Sequence, residues 1–97
     1  MAVSVEKKGP IAIVRVDNPP VNALSAVVRK GLYDAALQLD NDPDIAQVVL
    51  ICEGRTFIAG ADISEFGKPP VEPLLPDVIR AIEASHTPWI AAIHGTA

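Results

Sequence analysis

A single cysteine among 97 residues means that no disulfide can form within the chain. That residue, Cys52, ends the apolar run Val48-Val49-Leu50-Ile51-Cys52, where a thiol serves as a small buried hydrophobe and not as a nucleophile. A cluster of cations is missing too. The eight Lys and Arg residues are scattered, with Lys7-Lys8 and Arg29-Lys30 the only adjacent pairs, and twelve acidic residues leave a net charge of −4. Nucleic acid rewards cations aligned along a phosphate backbone, so no nucleic-acid partner is expected and both pairs read as solvated surface. No apolar stretch is long enough for a membrane span, and no signal-peptide pattern precedes the first strand-like residues. No membrane partner is therefore expected. A reducing setting, the cytoplasm or an organelle matrix, fits this pattern. Internal repeats and low-complexity tracts are absent as well.

What is present is aliphatic. Hydrophobic residues make up 49% of the chain, which places it among globular domains and not disordered segments. A chain of this length forms one small domain and buries a smaller share of its surface than a large one. Its content of Val, Ile, Leu and Ala exceeds what such a domain needs, which points to a partner surface outside it.

Val3 to Lys7 alternates apolar and polar residues, the signature of a half-buried strand. Lys8-Gly9-Pro10 punctuates it before a second strand, Ile11 to Val16, so the chain opens with a hairpin. Asp17-Asn18-Pro19-Pro20 ends that strand, because proline donates no ladder bond. Ser25 is a helix N-cap, and Val28, Leu32, Ala35 and Leu39 then form one helical face up to the stop at Asp40-Asn41-Asp42-Pro43. Val48 to Cys52 lacks alternation and suits a strand covered on both faces. Gly67 to Pro76 reads as a surface loop. Asp77 is expected to cap a second helix in which Val78, Ile79 and Ile82 share a face. Thr87-Pro88 breaks it, Trp89 to Ile93 is expected to be another buried strand, and His94-Gly95 begins a turn. The order ββαβαβ predicts an α/β fold with a mainly parallel sheet after the initial hairpin.

The segment Gly54 to Ile63, GRTFIAGADI, follows the end of a parallel strand, the edge where such sheets place ligands. Ala59, Gly60 and Ala61 carry almost no side chain, so backbone groups can approach a ligand closely. Asp62 is positioned to begin a short helix through Phe66 whose free N–H groups face that turn. Taken alone, the segment is equally a tight strand-to-helix connection with small residues chosen for packing. Asp17 to Ser25 is likewise readable as a plain loop-to-helix entry in which Asn22 bonds backbone.

Three segments together resemble the enoyl-CoA hydratase/isomerase (crotonase) family: Phe57-Ile58-Ala59-Gly60-Ala61-Asp62-Ile63, Asp17-Asn18-Pro19-Pro20-Val21-Asn22-Ala23-Leu24-Ser25, and Pro88-Trp89-Ile90-Ala91-Ala92-Ile93-His94-Gly95-Thr96-Ala97. The second segment is also similar to the hydratase half of bifunctional hydratase/3-hydroxyacyl-CoA dehydrogenases. The resemblance implies the N-terminal portion of the ClpP/crotonase ββα-repeat spiral, with residues 1–97 a truncated part of an acyl-CoA-binding domain. It implies enoyl-CoA hydration or isomerisation in fatty acid β-oxidation. The N–H of Ala61 would be the first oxyanion donor. Ala59, Gly60, Asp62 and Ile63 would shape the coenzyme A pocket, and Val21, Ala23 and Leu24 would touch the ligand. Such donors stabilise the enolate-like charge on the thioester oxygen, and losing one costs about 3–4 kcal/mol of barrier. No metal and no prosthetic group are implied, coenzyme A being part of the substrate.

In hydratases of this family two glutamates position water and transfer the proton, and both lie beyond Ala97. Glu53, Asp62 and Glu65 do not match those positions, although Glu65 is near enough in sequence to the pocket to remain a candidate. His94 reads as a strand-end structural residue, and His86 as a helix-end residue near a C-terminal dipole. The chain alone is therefore expected to be inactive. A non-catalytic acyl-CoA-binding or assembly module, or another family reaction such as hydrolysis or decarboxylation, stands as the alternative. Homo-oligomerisation or packing on later C-terminal domains is the expected mode of association.

Overall fold

The computed structural model describes residues 2–58, 60 and 62–95. Strand β1 (Val3–Lys8) turns back into β2 (Ile11–Val16), with Val3 opposite Val16 and Lys8 opposite Ile11. Helix α1 (Ala26–Asp40) then carries the chain to β3 (Gln47–Cys52), which runs parallel to β2. A single 3-10 turn (Ile63–Glu65) and helix α2 (Leu75–Glu83) lead to β4 (Trp89–Ala91), parallel to β3. The sheet order is β1-β2-β3-β4, and the ββαβαβ order expected from the sequence is the one observed.

Alternation along β2 and β3 sends Ala12, Val14, Val16, Val48 and Cys52 to one face. There they join Val28, Leu32, Ala35 and Leu39 of α1 and Val78 of α2 in one buried cluster. Every residue of the helical stripe read from the sequence is in that cluster. Ser25 caps α1, its Oγ accepting from the Val28 amide at 3.4 Å. Gly31 sits inside α1 because the helix crosses β1 closely: a methyl group there would lie 2.6 Å from Cβ of Val3.

Four expectations need correction. β3 is not covered on both faces, because both helices pack on one side; Val49 and Ile51 are half-buried on the other. β4 is not a buried five-residue strand but a three-residue edge strand. Ile90 is 49% exposed and aligned with Val49 and Ile13 across the open face. Asp77 is not the cap of α2: it lies in the first turn and accepts from the Leu74 amide at 3.1 Å. Ile79 does not share the buried face of Val78 and Ile82 but points outward, 46% exposed. Among the described residues, no helix is long and apolar enough to cross a membrane.

Candidate functional site

Because β2, β3 and β4 run in one direction, the chain leaves all three at the same edge of the sheet, after Val16, Cys52 and Ala91. The segments that follow, 17–25, 53–62 and 92–95, are tied to one another there. Asn22 is the first tie. It is 2% exposed, and its Nδ2 donates to the carbonyls of Glu53 and Thr56, each at 2.8 Å. Its Oδ1 accepts from the Asn18 amide at 2.7 Å. Asn22 has φ +55°, a left-handed conformation that Asn tolerates better than most residues. The second tie is the Leu24 amide, which donates to the Gly60 carbonyl at 2.8 Å. Gly60 has φ +113°, a region that side-chain-bearing residues rarely enter.

The third tie brings in the exit from β4. Thr56 and Gly95 form an antiparallel bridge, and His94 Nε2 lies 2.8 Å from the Gly54 carbonyl oxygen. A side chain at Gly95 would collide with the Arg55 carbonyl. His94 is thus the strand-end structural residue expected from the sequence.

Beyond Gly60 the chain enters the 3-10 turn. Asp62 precedes it, with Oδ1 accepting from both the amide (2.9 Å) and the hydroxyl (2.7 Å) of Ser64. Those two bonds hold the Asp62 carboxyl below its ordinary value. Glu65 ends the turn and faces Arg29, with Nη1 at 2.9 Å from its Oε1. Its other oxygen accepts from the Ala26 amide, at the start of α1, at 2.8 Å. The Arg29 bond and then the Ala26 amide hold the Glu65 carboxyl low. Glu65 therefore braces the start of α1, with both oxygens engaged by the protein.

Arg29 is the residue that the sequence misplaced. Read as solvated surface, it is only 8% exposed. Its guanidinium bonds Leu24 O (2.8 Å), Val71 O (3.0 Å) and Pro73 O (2.9 Å) besides Glu65. The available signal was its place directly after buried Val28, one turn beyond the Ser25 cap. Three of its partners, Glu65, Val71 and Pro73, however, lie 36 to 44 residues away. His86 lies just past the end of α2, and its almost fully exposed ring faces Asp40 Oδ1 at 3.2 Å, at the end of α1. Cys52 is buried as expected, and burial pushes its thiol up to about 11.

A cavity of about 320 Å³ opens beside this edge, lined by Leu24, Arg29, Asp62 and Glu65 and by Phe66, Val71 and Leu74 of the following segment. Of the residues singled out from the sequence, Leu24 and Asp62 line it. Val21 is exposed, while Ala23 and Gly60 are half-buried next to Leu24. Ile63 opens the 3-10 turn. Ala59 and Ala61 lie outside the described residues. Among those described, no group of three or more His, Cys, Asp and Glu residues is placed to hold a metal ion.

Comparison with known proteins matches residues 6–97 to a family model described as enoyl-CoA hydratase/isomerase. The chain is 41% identical over 90 residues to the peroxisomal bifunctional enzyme of Danio rerio, covering 93% of this chain and 12% of that protein. It is 35% identical to the Bacillus subtilis (strain 168) protein named "Probable enoyl-CoA hydratase", covering 99% of this chain and 40% of that one. A solved structure of an enoyl-CoA hydratase/carnithine racemase from Magnetospirillum magneticum superposes with a TM-score of 0.88 at 30% identity, covering 98% of this chain and 39% of that one. The chain thus spans well under half the length of these relatives.

Proposed function

Because the chain belongs to the enoyl-CoA hydratase/isomerase family and has its crotonase fold, we propose that the joined loops bind an acyl-CoA thioester. The Leu24–Gly60 bond carries this reading. It sets Gly60 beside the 21–24 loop at the sheet edge where ligands of parallel α/β folds lie. In this reading the Ala61 amide donates to the thioester oxygen, and the backbone of 59–63, with Val21, Ala23 and Leu24, borders the coenzyme A moiety. A backbone donor held by rigid loops stabilises enolate-like charge without reorganising during the reaction. The largely apolar cavity lined by Leu24, Phe66, Val71 and Leu74 suits the hydrocarbon part of the thioester.

The parent reaction we propose is hydration or isomerisation of an enoyl-CoA in fatty acid β-oxidation, in the cytoplasm or an organelle matrix. The likeness to a peroxisomal bifunctional enzyme supports that assignment. Coenzyme A enters as part of the substrate, not as a resident cofactor. The open sheet face bearing Ile13, Val49 and Ile90 is where further chain or a second copy would pack.

Asp62 and Glu65 are both engaged, by Ser64 and by Arg29 with Ala26. They serve as framework and not as the acid–base pair. That observation favours a second reading for residues 1–97 taken alone, binding without turnover. Calorimetric titration with octanoyl-CoA, beside the loss of crotonyl-CoA absorbance, tests both. Binding without turnover supports the assignment for this chain. Absence of thioester binding sinks the site, and turnover by the 97-residue chain sinks the framework role of its carboxylates.

A further inference from the structure

We propose that Arg29 is a positioning residue that holds the cavity wall in place, acting through Glu65 and three backbone carbonyls and never on the ligand itself. The inference rests on the thioester-site reading above. Segment 69–73, which contains Pro69, Pro70 and Pro73, connects the 3-10 turn to α2 and supplies part of the cavity wall. Prolines have no amide to donate. Among the described residues, this segment makes no backbone–backbone hydrogen bond. Its hydrogen bonds to the other described residues are the two that Arg29 donates, Nη2 to Val71 O at 3.0 Å and Nε to Pro73 O at 2.9 Å.

The remaining bonds of the guanidinium reach the opposite wall. Nη1 donates to the Leu24 carbonyl at 2.8 Å and to Glu65 Oε1 at 2.9 Å. Leu24 in turn donates its own amide to Gly60. One buried side chain on α1 therefore spans both walls of the cavity and, through Leu24, connects them to Gly60. The planar fork matters more than the charge, because four acceptors in different directions are satisfied at once. A lysine ammonium, with three donors on a flexible stem, cannot reproduce that arrangement. The apolar lining, Leu24, Phe66, Val71 and Leu74, is the part suited to a hydrocarbon tail, and a guanidinium engaged by four protein acceptors sets the separation of those side chains without competing for the substrate.

The test compares the wild-type chain with Arg29→Lys, Glu65→Gln and, as an exposed control, Lys30→Ala. Backbone amide exchange is read at Lys68 and Leu74, the amides flanking the segment that hold a hydrogen bond, with β2 and β3 amides as the internal reference. In Arg29→Lys, exchange at these two amides rises about tenfold, as expected when charge-assisted tethers to a local opening unit are lost, while β2 and β3 are unchanged. The affinity ratio of octanoyl-CoA to acetyl-CoA falls about fivefold, with free coenzyme A binding unaltered, since a loosened apolar wall penalises the longer tail. Glu65→Gln gives a smaller change of the same kind and Lys30→Ala gives none. Unchanged exchange, or a uniform rise that includes β2 and β3, overturns the proposal. An unchanged chain-length preference in an Arg29→Lys protein that still binds thioesters overturns Arg29's role alone. Failure of the wild type to bind any thioester overturns the underlying site reading, and the positioning role with it.

Discussion

Val14, Val16 and Val48 on the covered sheet face have no accessible surface and belong to one apolar cluster. Asn22 and Arg29, at the edge where the parallel strands end, are nearly as inaccessible, yet their partners are backbone carbonyls and a carboxylate. The first region is held by volume and exclusion of water, which are non-directional and scale with area. The second is held by hydrogen bonds whose loss strands buried acceptors, so it depends on direction and on residue identity. A core position accepts another aliphatic residue of similar size. An edge position of the Asn22 kind accepts almost nothing else, since it needs donors, an acceptor and a left-handed backbone together.

The difference can be tested by breaking each region separately. The largest expected effect is in the core. Leu39→Ala lowers unfolding free energy by about 3 kcal/mol in chemical denaturation, through lost burial and the cavity left behind. Asn22→Ala comes next, costing about 2–3 kcal/mol because two carbonyls and the Asn18 amide lose their partner. Asn22→Asp separates geometry from chemistry: it keeps the acceptor for Asn18 and removes both donors, so its loss should approach that of the alanine variant. Equal tolerance of Leu39→Met and Asn22→Asp would erase the distinction between the two regions.

Acid titration probes the edge through Glu65. Its folded-state carboxyl lies below the ordinary value of 4.5, first because of Arg29 and then because of the Ala26 amide. The stabilisation is fully present above the unfolded value and is lost as pH falls through the folded one. Glu65→Gln should therefore flatten the acid limb of stability below about pH 4.5 and leave neutral stability changed far less by further acidification. An acid limb identical to wild type would separate Glu65 from the edge's cohesion. The smallest effect is expected one residue from Arg29. Lys30 pairs only with Asp34 on the exposed face of α1, and Lys30→Ala should shift stability by less than about 0.5 kcal/mol.

The helical stripe Val28, Leu32, Ala35 and Leu39 was legible because it rests on a 3.6-residue period that holds whatever lies opposite. The hairpin, the Ser25 cap and the strand order were legible for the same reason: each depends on neighbours a few residues apart. Of the small residues at 59–61 read as a place of close backbone approach, Gly60 accepts from the Leu24 amide, while Ala59 and Ala61 lie outside the described residues. Arg29 was not legible, because charge at a helix surface is ordinarily solvated and its burial requires Val71 and Pro73. His86 was legible as a helix-end residue, but its partner, Asp40 at the end of α1, is 46 residues away. Ile90 read as buried because an apolar run says nothing about whether a second layer covers the strand.

Local periodicity, capping chemistry and small-residue turns in this chain thus specified which elements form, their order, and the edge at which the site assembles. These rest on interactions within a few residues, and a linear pattern carries them. Which cation became a buried tether, which sheet face stayed open, and how three separated loops were pinned into one site were decided only when the parallel strands brought their exits together. Those outcomes depend on partners tens of residues apart, whose distance and direction exist only after the sheet has formed.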